Sequence, residues 1–268
     1  MSVLNAVVFG ILQGFGEMLP ISSSAHLVLY PYLFGFHDPG LAFDVALHVG
    51  TLIALLAYFR RDWLALAKAV LKLAGERRIT DPEQKLAVLL VIATVPGAIF
   101  GALLDKYAAT VFRAPLLVAF MLAAMGVVLW IADARAERSN GCVDDLRYRD
   151  SAWIGLAQAL AIIPGVSRSG VTISAGLFSG LTREAAARFS FLMSAPIIAG
   201  AAVFGLKNLS PALVATPSFW VAVITSAVAS AVAVAFLLTF VKRHRLRLFV
   251  YYRFALAAVV VAVVFLRR

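Results

Sequence analysis

LQGFGEMLPISSSAHLVLY, residues 12–30, sets a glutamate, three serines and a histidine into a run that is otherwise apolar, and breaks that run with a proline. Its meaning depends on its solvent. The 268-residue chain is 62% hydrophobic and 14% charged, with a mean hydropathy of +0.93, far outside the range of soluble domains. It reads as an integral membrane protein of one domain, with room for about six to eight membrane elements at roughly 20 residues per span. The opening MSVLNAVVFG has no Lys or Arg ahead of its apolar run, and Glu17 and Pro20 follow where a cleavage site would be sought. It is therefore taken as mature structure rather than a targeting peptide. The lone Cys142 lies in a polar loop and forms no intrachain disulfide.

Six apolar windows are long enough to cross a bilayer as helices, at about 41–59, 86–104, 115–132, 185–206, 217–240 and 249–266. Two further apolar stretches, 2–35 and 152–181, are each cut near the middle, one by PISSS and the other by PGVSRSG. Their halves suit re-entrant helical hairpins, because irregular backbone at membrane depth is tolerated only when it is buried in protein or lines a cavity. The stretches echo one another: Gln13 precedes Pro20-Ile-Ser-Ser-Ser, and Gln158 precedes Pro164-Gly-Val-Ser-Arg-Ser with one residue fewer between. FDVALHVGTLIALLAYF (43–59) likewise echoes FSFLMSAPIIAGAAVF (189–204). The expected fold is all-α and polytopic, six transmembrane helices plus two re-entrant hairpins. Its inverted repeats span approximately 1–135 and 150–268, and the site is expected where the broken helices meet near mid-membrane.

Charge counting gives the orientation. Loops and loop edges at 60–85, 133–150, 183–188 and 242–253 fall on one side and hold eighteen of the twenty-four Lys and Arg, whereas Lys106, Arg113, Lys207, Arg267 and Arg268 fall on the other. The first side is cytoplasmic, so both termini and the first hairpin face outward. The net charge of +10 is explained by a cytoplasmic face against anionic membrane lipid, with no nucleic acid required.

The broken segments carry the candidate chemistry. Glu17 and Arg168 each cost about 2.5–3.5 kcal/mol at mid-membrane on insertion scales, which makes them functional suspects expected near one another; a buried pair that only locks the repeats together is the plain alternative. Gln13 and Glu17, one helical turn apart, offer two oxygens to a hard cation such as Mg²⁺ or Ca²⁺, or simply pack between helices. Proline at 20 ends the first half-helix, and Ser22, Ser23 or Ser24 then caps the next, presenting free N–H groups to an anion. His26, three residues after Ser23, puts an imidazole beside a hydroxyl for work at one phosphorus centre. Ser167-Arg168-Ser169-Gly170 supplies a guanidinium, two hydroxyls and a glycine that lets backbone approach closely, again suited to phosphate. Asp44 and His48, four apart in the first full span, read as support. Arg60, Arg61 and the run Lys242-Arg243-His244-Arg245 read as solvated helix ends.

On QGFGEMLPISSSAHL, FDVALHVGTL, PGVSRSG and FSFLMSAP, in that order over nearly its whole length, the chain resembles the bacterial undecaprenyl-diphosphate phosphatases of the bacitracin-resistance type. The resemblance implies a hydrolase of the bacterial cytoplasmic (inner) membrane. Such an enzyme removes the terminal phosphate of a polyprenyl diphosphate lipid, assisted by a divalent cation, and regenerates the monophosphate carrier for peptidoglycan synthesis. It further implies Glu17 as metal ligand or base, Ser23 and His26 as nucleophile and acid/base candidates, and Arg168 as phosphate clamp. The family's first motif is written Glu or Gln, three residues, Glu; this chain has Gln13, whose amide oxygen lacks a full charge and would hold a cation more weakly. Inverted repeats with broken helices also suit a polyprenyl-phosphate carrier or flippase, and a homodimer is compatible with a small polytopic chain. If Gln13 and Glu17 hold the metal, Gln13→Glu keeps phosphate release intact and lowers the Mg²⁺ or Ca²⁺ concentration required; a raised requirement in a titration of release against divalent ion removes the pair from that role.

Overall fold

A computed structural model describes residues 1–36, 38–205 and 209–267; Lys207 and Arg268 of the outer-side charge count lie outside them. The described residues form helices joined by short turns, with no strand beyond one isolated bridge between Gly141 and Leu181. Helices α3 (Leu41–Tyr58), α5 (Pro82–Ala109), α6 (Pro115–Arg135), α9 (Arg183–Gly205), α11 (Pro217–Phe240) and α12 (Arg247–Leu266) correspond to the six expected windows, with the short α10 (Pro211–Val214) ahead of α11, and among the described residues six helices are long and apolar enough to cross a membrane. Their starts are written locally. Pro82, Pro115 and Pro217 occupy first-turn positions, where a missing N–H costs nothing. Asp81 caps α5 by accepting the Gln84 N–H at 2.9 Å, and that bond, ahead of the Lys72 ammonium, holds its carboxyl below the usual carboxylate range.

The segment 60–85, a polar stretch on composition, contains a helix, α4 (Arg60–Glu76), that follows α3 with a single residue between them. Average hydropathy hides it, because its apolar and charged residues alternate at helical period and cancel.

The stretch 2–35 is broken as expected. Helix α1 (Val3–Met18) stops before Leu19, which is extended at φ −77° and ψ 148°, because a residue preceding proline avoids the helical region. Helix α2 (Ser23–Phe34) starts after Ser22, at φ 74° and ψ 94°, whose Oγ accepts the Ala25 N–H at 3.4 Å. The second stretch repeats this: α7 (Tyr148–Ala159) runs into a short 3₁₀ turn, and α8 (Arg168–Phe178) starts after Ser167, at φ 71° and ψ 114°, whose Oγ accepts the Gly170 N–H at 3.1 Å. The cap serines, not the prolines, stand at equal spacing from Gln13 and Gln158, which removes the one-residue mismatch in the sequence echo.

A positive φ on serine costs on the order of 1–3 kcal/mol and persists only where the surroundings over-determine it. Here the two breaks hold each other. Ser22 Oγ accepts the Gly165 N–H at 3.1 Å, and Ser169 Oγ donates to the Leu19 carbonyl at 3.0 Å. Arg253 closes the junction. Charge counting placed it at a cytoplasmic loop edge; it lies inside α12, 0% exposed. Its guanidinium donates to the carbonyls of Pro20 at 3.1 Å, Gly165 at 2.6 Å, Val166 at 3.2 Å and Leu122 at 3.1 Å.

Helix α1 lies along α11, which also packs on α3. Gly10 and Gly14, four apart and so on one face, make the close approach possible: a Cβ at either would stand 2.5 Å from Ala222 O or from Ala229 Cβ. This is the small-residue spacing of helix packing in lipid. Gly14→Val is expected to cost about 1–3 kcal/mol through overpacking, read as a lower thermal midpoint in detergent. Arg253→Met strands several buried carbonyls at about 1–3 kcal/mol each and should lower the midpoint further, while Arg253→Lys recovers part of the loss.

Candidate active site

The two breaks bring the N-termini of α2 and α8 to one place, beside the C-terminal end of α1. Glu17, 6% exposed, is at the centre. Its Oε1 accepts from Arg168 Nη2 at 2.7 Å and Nε at 3.0 Å. Its Oε2 accepts a short hydrogen bond from the Ser23 hydroxyl, faces His48 Nε2 at 3.2 Å, and lies 3.5 Å from Gln13 Nε2. Glu17 and Arg168 therefore stand together, as their shared cost in lipid suggests, with Ser23 joined to them.

Arg168, Gln13 and His48 are each held from behind. Arg168 Nη1 reaches the Ser190 carbonyl at 3.5 Å, and the Ser190 hydroxyl is bonded to Thr172 at 2.7 Å. Gln13 Nε2 also donates to Thr51 Oγ1 at 3.4 Å, which accepts from Ser230 at 3.1 Å. His48 is fixed through Nδ1, 2.7 Å from the Asp44 carbonyl. Asp44 in turn takes Arg113 Nη1 at 2.8 Å, and the same guanidinium grips Asp38. The His48 side chain is 23% exposed against 10% for Arg168 and 6% for Glu17, so His48 is the most exposed of the three.

His26 and Ser23 share a turn of α2 but have different partners. His26 Nδ1 lies 2.7 Å from the Ser22 carbonyl, which only accepts, so Nδ1 carries the proton. In the neutral ring Nε2 then accepts from the Tyr252 hydroxyl at 2.6 Å, and the rings stack with 5.6 Å between centroids. Ser22 and Ser24 hydroxyls are 3.2 Å apart, and Ser167 and Ser169 hydroxyls 3.3 Å; Ser22 and Ser167 serve as caps. Gly170 packs against the junction, where a Cβ would meet Ser167 and Arg253.

For a cation the protein offers little by itself. Among the described residues no group of three or more His, Cys, Asp or Glu is placed to hold a metal ion. Gln13 Oε1, however, is buried without a partner one turn from Glu17. That amide oxygen and one carboxylate suit a hard cation that takes its remaining ligands from phosphate oxygens and water.

Several contributors escaped the sequence reading. Arg253 was hidden by its closeness to a basic loop, and Tyr252 by its place in an apolar helix. Thr172 of α8, Ser190 of α9 and Ser230 of α11 resemble ordinary helix-packing residues until their partners are seen. His48, read as support, touches Glu17 directly.

Comparison with known proteins agrees over the full length. The chain is 53% identical to the undecaprenyl-diphosphatase of Moorella thermoacetica, covering 100% of both chains. It is 50% identical to that of Pelotomaculum thermopropionicum over 98% of this chain and 97% of the relative. With that of Desulforudis audaxviator it shares 48% identity over 100% of both. Residues 6–259 match the family model described as bacitracin resistance protein BacA. Six membrane-length helices, two serine-capped breaks meeting over a buried carboxylate, and these relatives place the chain, as a multi-pass membrane protein, in the bacitracin resistance protein BacA family.

Proposed function

We propose that this chain is an integral membrane phosphatase of the bacterial cytoplasmic membrane, hydrolysing undecaprenyl diphosphate to undecaprenyl phosphate and inorganic phosphate. It would thereby recycle the lipid carrier for peptidoglycan synthesis and confer bacitracin resistance. The observation that carries the reading is the Ser23 hydroxyl donating to Glu17 while Glu17 is gripped by Arg168: a nucleophile, its base and a phosphate-binding cation in one contact set. The relatives' name supplies the substrate.

In this mechanism the polyprenyl tail stays in hydrocarbon and the diphosphate enters between the N-termini of α2 and α8. Arg168 turns from Glu17 to the terminal phosphoryl oxygens, and the N–H groups at the two helix starts take up developing charge. Ser23 Oγ attacks the terminal phosphorus as Glu17 accepts its proton, the phosphoanhydride bond breaks, and undecaprenyl phosphate departs. Water then cleaves the phosphoserine, and the proton on Glu17 returns to the serine oxygen. His26, bound to Ser22 and Tyr252, fixes the start of α2. A divalent cation, Mg²⁺ or Ca²⁺, held by Glu17 and Gln13 when bound, would offset diphosphate charge.

The proposed architecture is one membrane domain of two inverted repeats, about 1–135 and 150–268, each opening with a re-entrant hairpin. One constant offset relates Gly10 to Gly155, Gln13 to Gln158, Ser22 to Ser167 and Ser24 to Ser169, and the packing of α1 on α11 is answered by α7 on α5. With both termini outward, the His48 side faces the outer leaflet, where the chemistry would occur. The carrier reading is not favoured, because it leaves the Ser23–Glu17 contact without a purpose and the relatives are named as hydrolases.

Ser23→Ala, Glu17→Gln and Arg168→Ala should each lower phosphate release from a short-chain prenyl diphosphate in detergent by about 10²–10⁴-fold. Full activity in Ser23→Ala would leave water as the attacking group; full activity in all three variants would sink the site.

A further inference from the structure

We infer that α4 is an interfacial helix that lies on the cytoplasmic leaflet and binds the headgroups of anionic phospholipids. It has three faces. Leu66 and Ala69, 6% and 5% exposed, face the protein, where α4 packs on α5. A second face bears Leu64 and Leu71, seven residues apart and 64% and 75% exposed, with Val70, 50% exposed, at its margin. A third bears Arg61, Lys68 and Lys72, at helical spacing and beside the apolar face.

Position and charge decide what covers the second face. Helix α4 is joined to the end of one membrane-length helix, α3, and followed closely by another, α5, so it cannot leave the plane where those helices emerge. A helix with an exposed leucine stripe flanked by lysine and arginine buries the stripe about 5–10 Å into the boundary between headgroups and acyl chains, with the cations reaching phosphate. Both acids on the helix are already engaged: Asp62 pairs with Arg188, and Glu76 accepts from the Thr80 hydroxyl at 3.1 Å. Lys72 is taken by Asp81 at 3.1 Å. Arg61 and Lys68 have no ion pair among the described residues and stand ready for an outside anion. Phosphatidylglycerol-type lipid supplies both halves of the complement, acyl chain for the stripe and phosphate for the cations. The inference uses the charge-based orientation but not the hydrolytic chemistry.

The test is spin-label accessibility on the full chain in vesicles of phosphatidylcholine, with and without phosphatidylglycerol. Single labels at Leu64→Cys, Lys68→Cys and Leu71→Cys are placed in a Cys142→Ser background. Labels at 64 and 71 should show an oxygen-to-nickel-chelate accessibility ratio several-fold above that at 68. Phosphatidylglycerol should deepen the label at 71, and Arg61→Gln/Lys68→Gln should abolish that deepening. Aqueous exposure at all three sites overturns the inference, as does a depth indifferent to lipid charge. Dipolar broadening between labels overturns it too, since the face would then be covered by a second copy of the chain. Phosphate release is not the readout, so a failure here leaves the catalytic proposal standing.

Discussion

Hydrocarbon offers no hydrogen bonds, and that single fact constrains a chain of membrane-length helices that interrupts two helical stretches in its buried interior. Each break frees backbone N–H and carbonyl groups that water would satisfy at a surface. The solution is reciprocal. The first break lends a serine oxygen to an N–H of the second, the second lends a serine hydroxyl to a carbonyl of the first, and the Arg253 guanidinium spans both with donors left over for α6. Each interruption is satisfied by the other, so the geometry that joins the two halves of the chain is the same geometry that builds the site.

The pair at the centre obeys similar logic. A buried carboxylate and guanidinium roughly offset each other's desolvation, and such a pair is weak evidence for stability by itself. What distinguishes Glu17 and Arg168 is their company: a hydroxyl, an imidazole fixed from behind by the Asp44 carbonyl, and two serine-capped helix starts. Two helix N-termini and Arg253 add positive potential nearby. A group carrying several negative charges is therefore the natural complement of the cluster, and the names of the relatives agree with that chemistry.

Much of this was legible in the sequence because the relevant signals are local. Membrane-length helices come from sums over long windows, and their bounds differ from the expected ones by only a few residues. Pro20 with its following serines marked one break, and the glycine-serine run near Arg168 marked the other. The meeting of Glu17 with Arg168 followed from the cost of leaving either unpaired. What sequence did not disclose was of two kinds. Helix α4 carries a periodic signal that averaging erases. Arg253, Tyr252 and the contact of His48 with Glu17 depend on which helices become neighbours, and a basic residue beside a basic loop looks like loop until the turn of α12 carries it inward.

The saturation of Glu17 has a further meaning. In the resting arrangement Arg168 is already occupied, by a carboxylate that is tethered and always present at high local concentration. Under the proposed function, an anion would have to out-compete this internal rival before the guanidinium became available to it. A small free ion such as phosphate or sulfate brings only its own charge to that contest, whereas a diphosphate on a membrane-bound tail also brings the energy of its lipid part. Under the proposed mechanism, the same carboxylate would reclaim Arg168 once the phosphoryl group is released, so the site would expel its inorganic product and resist being clogged by it.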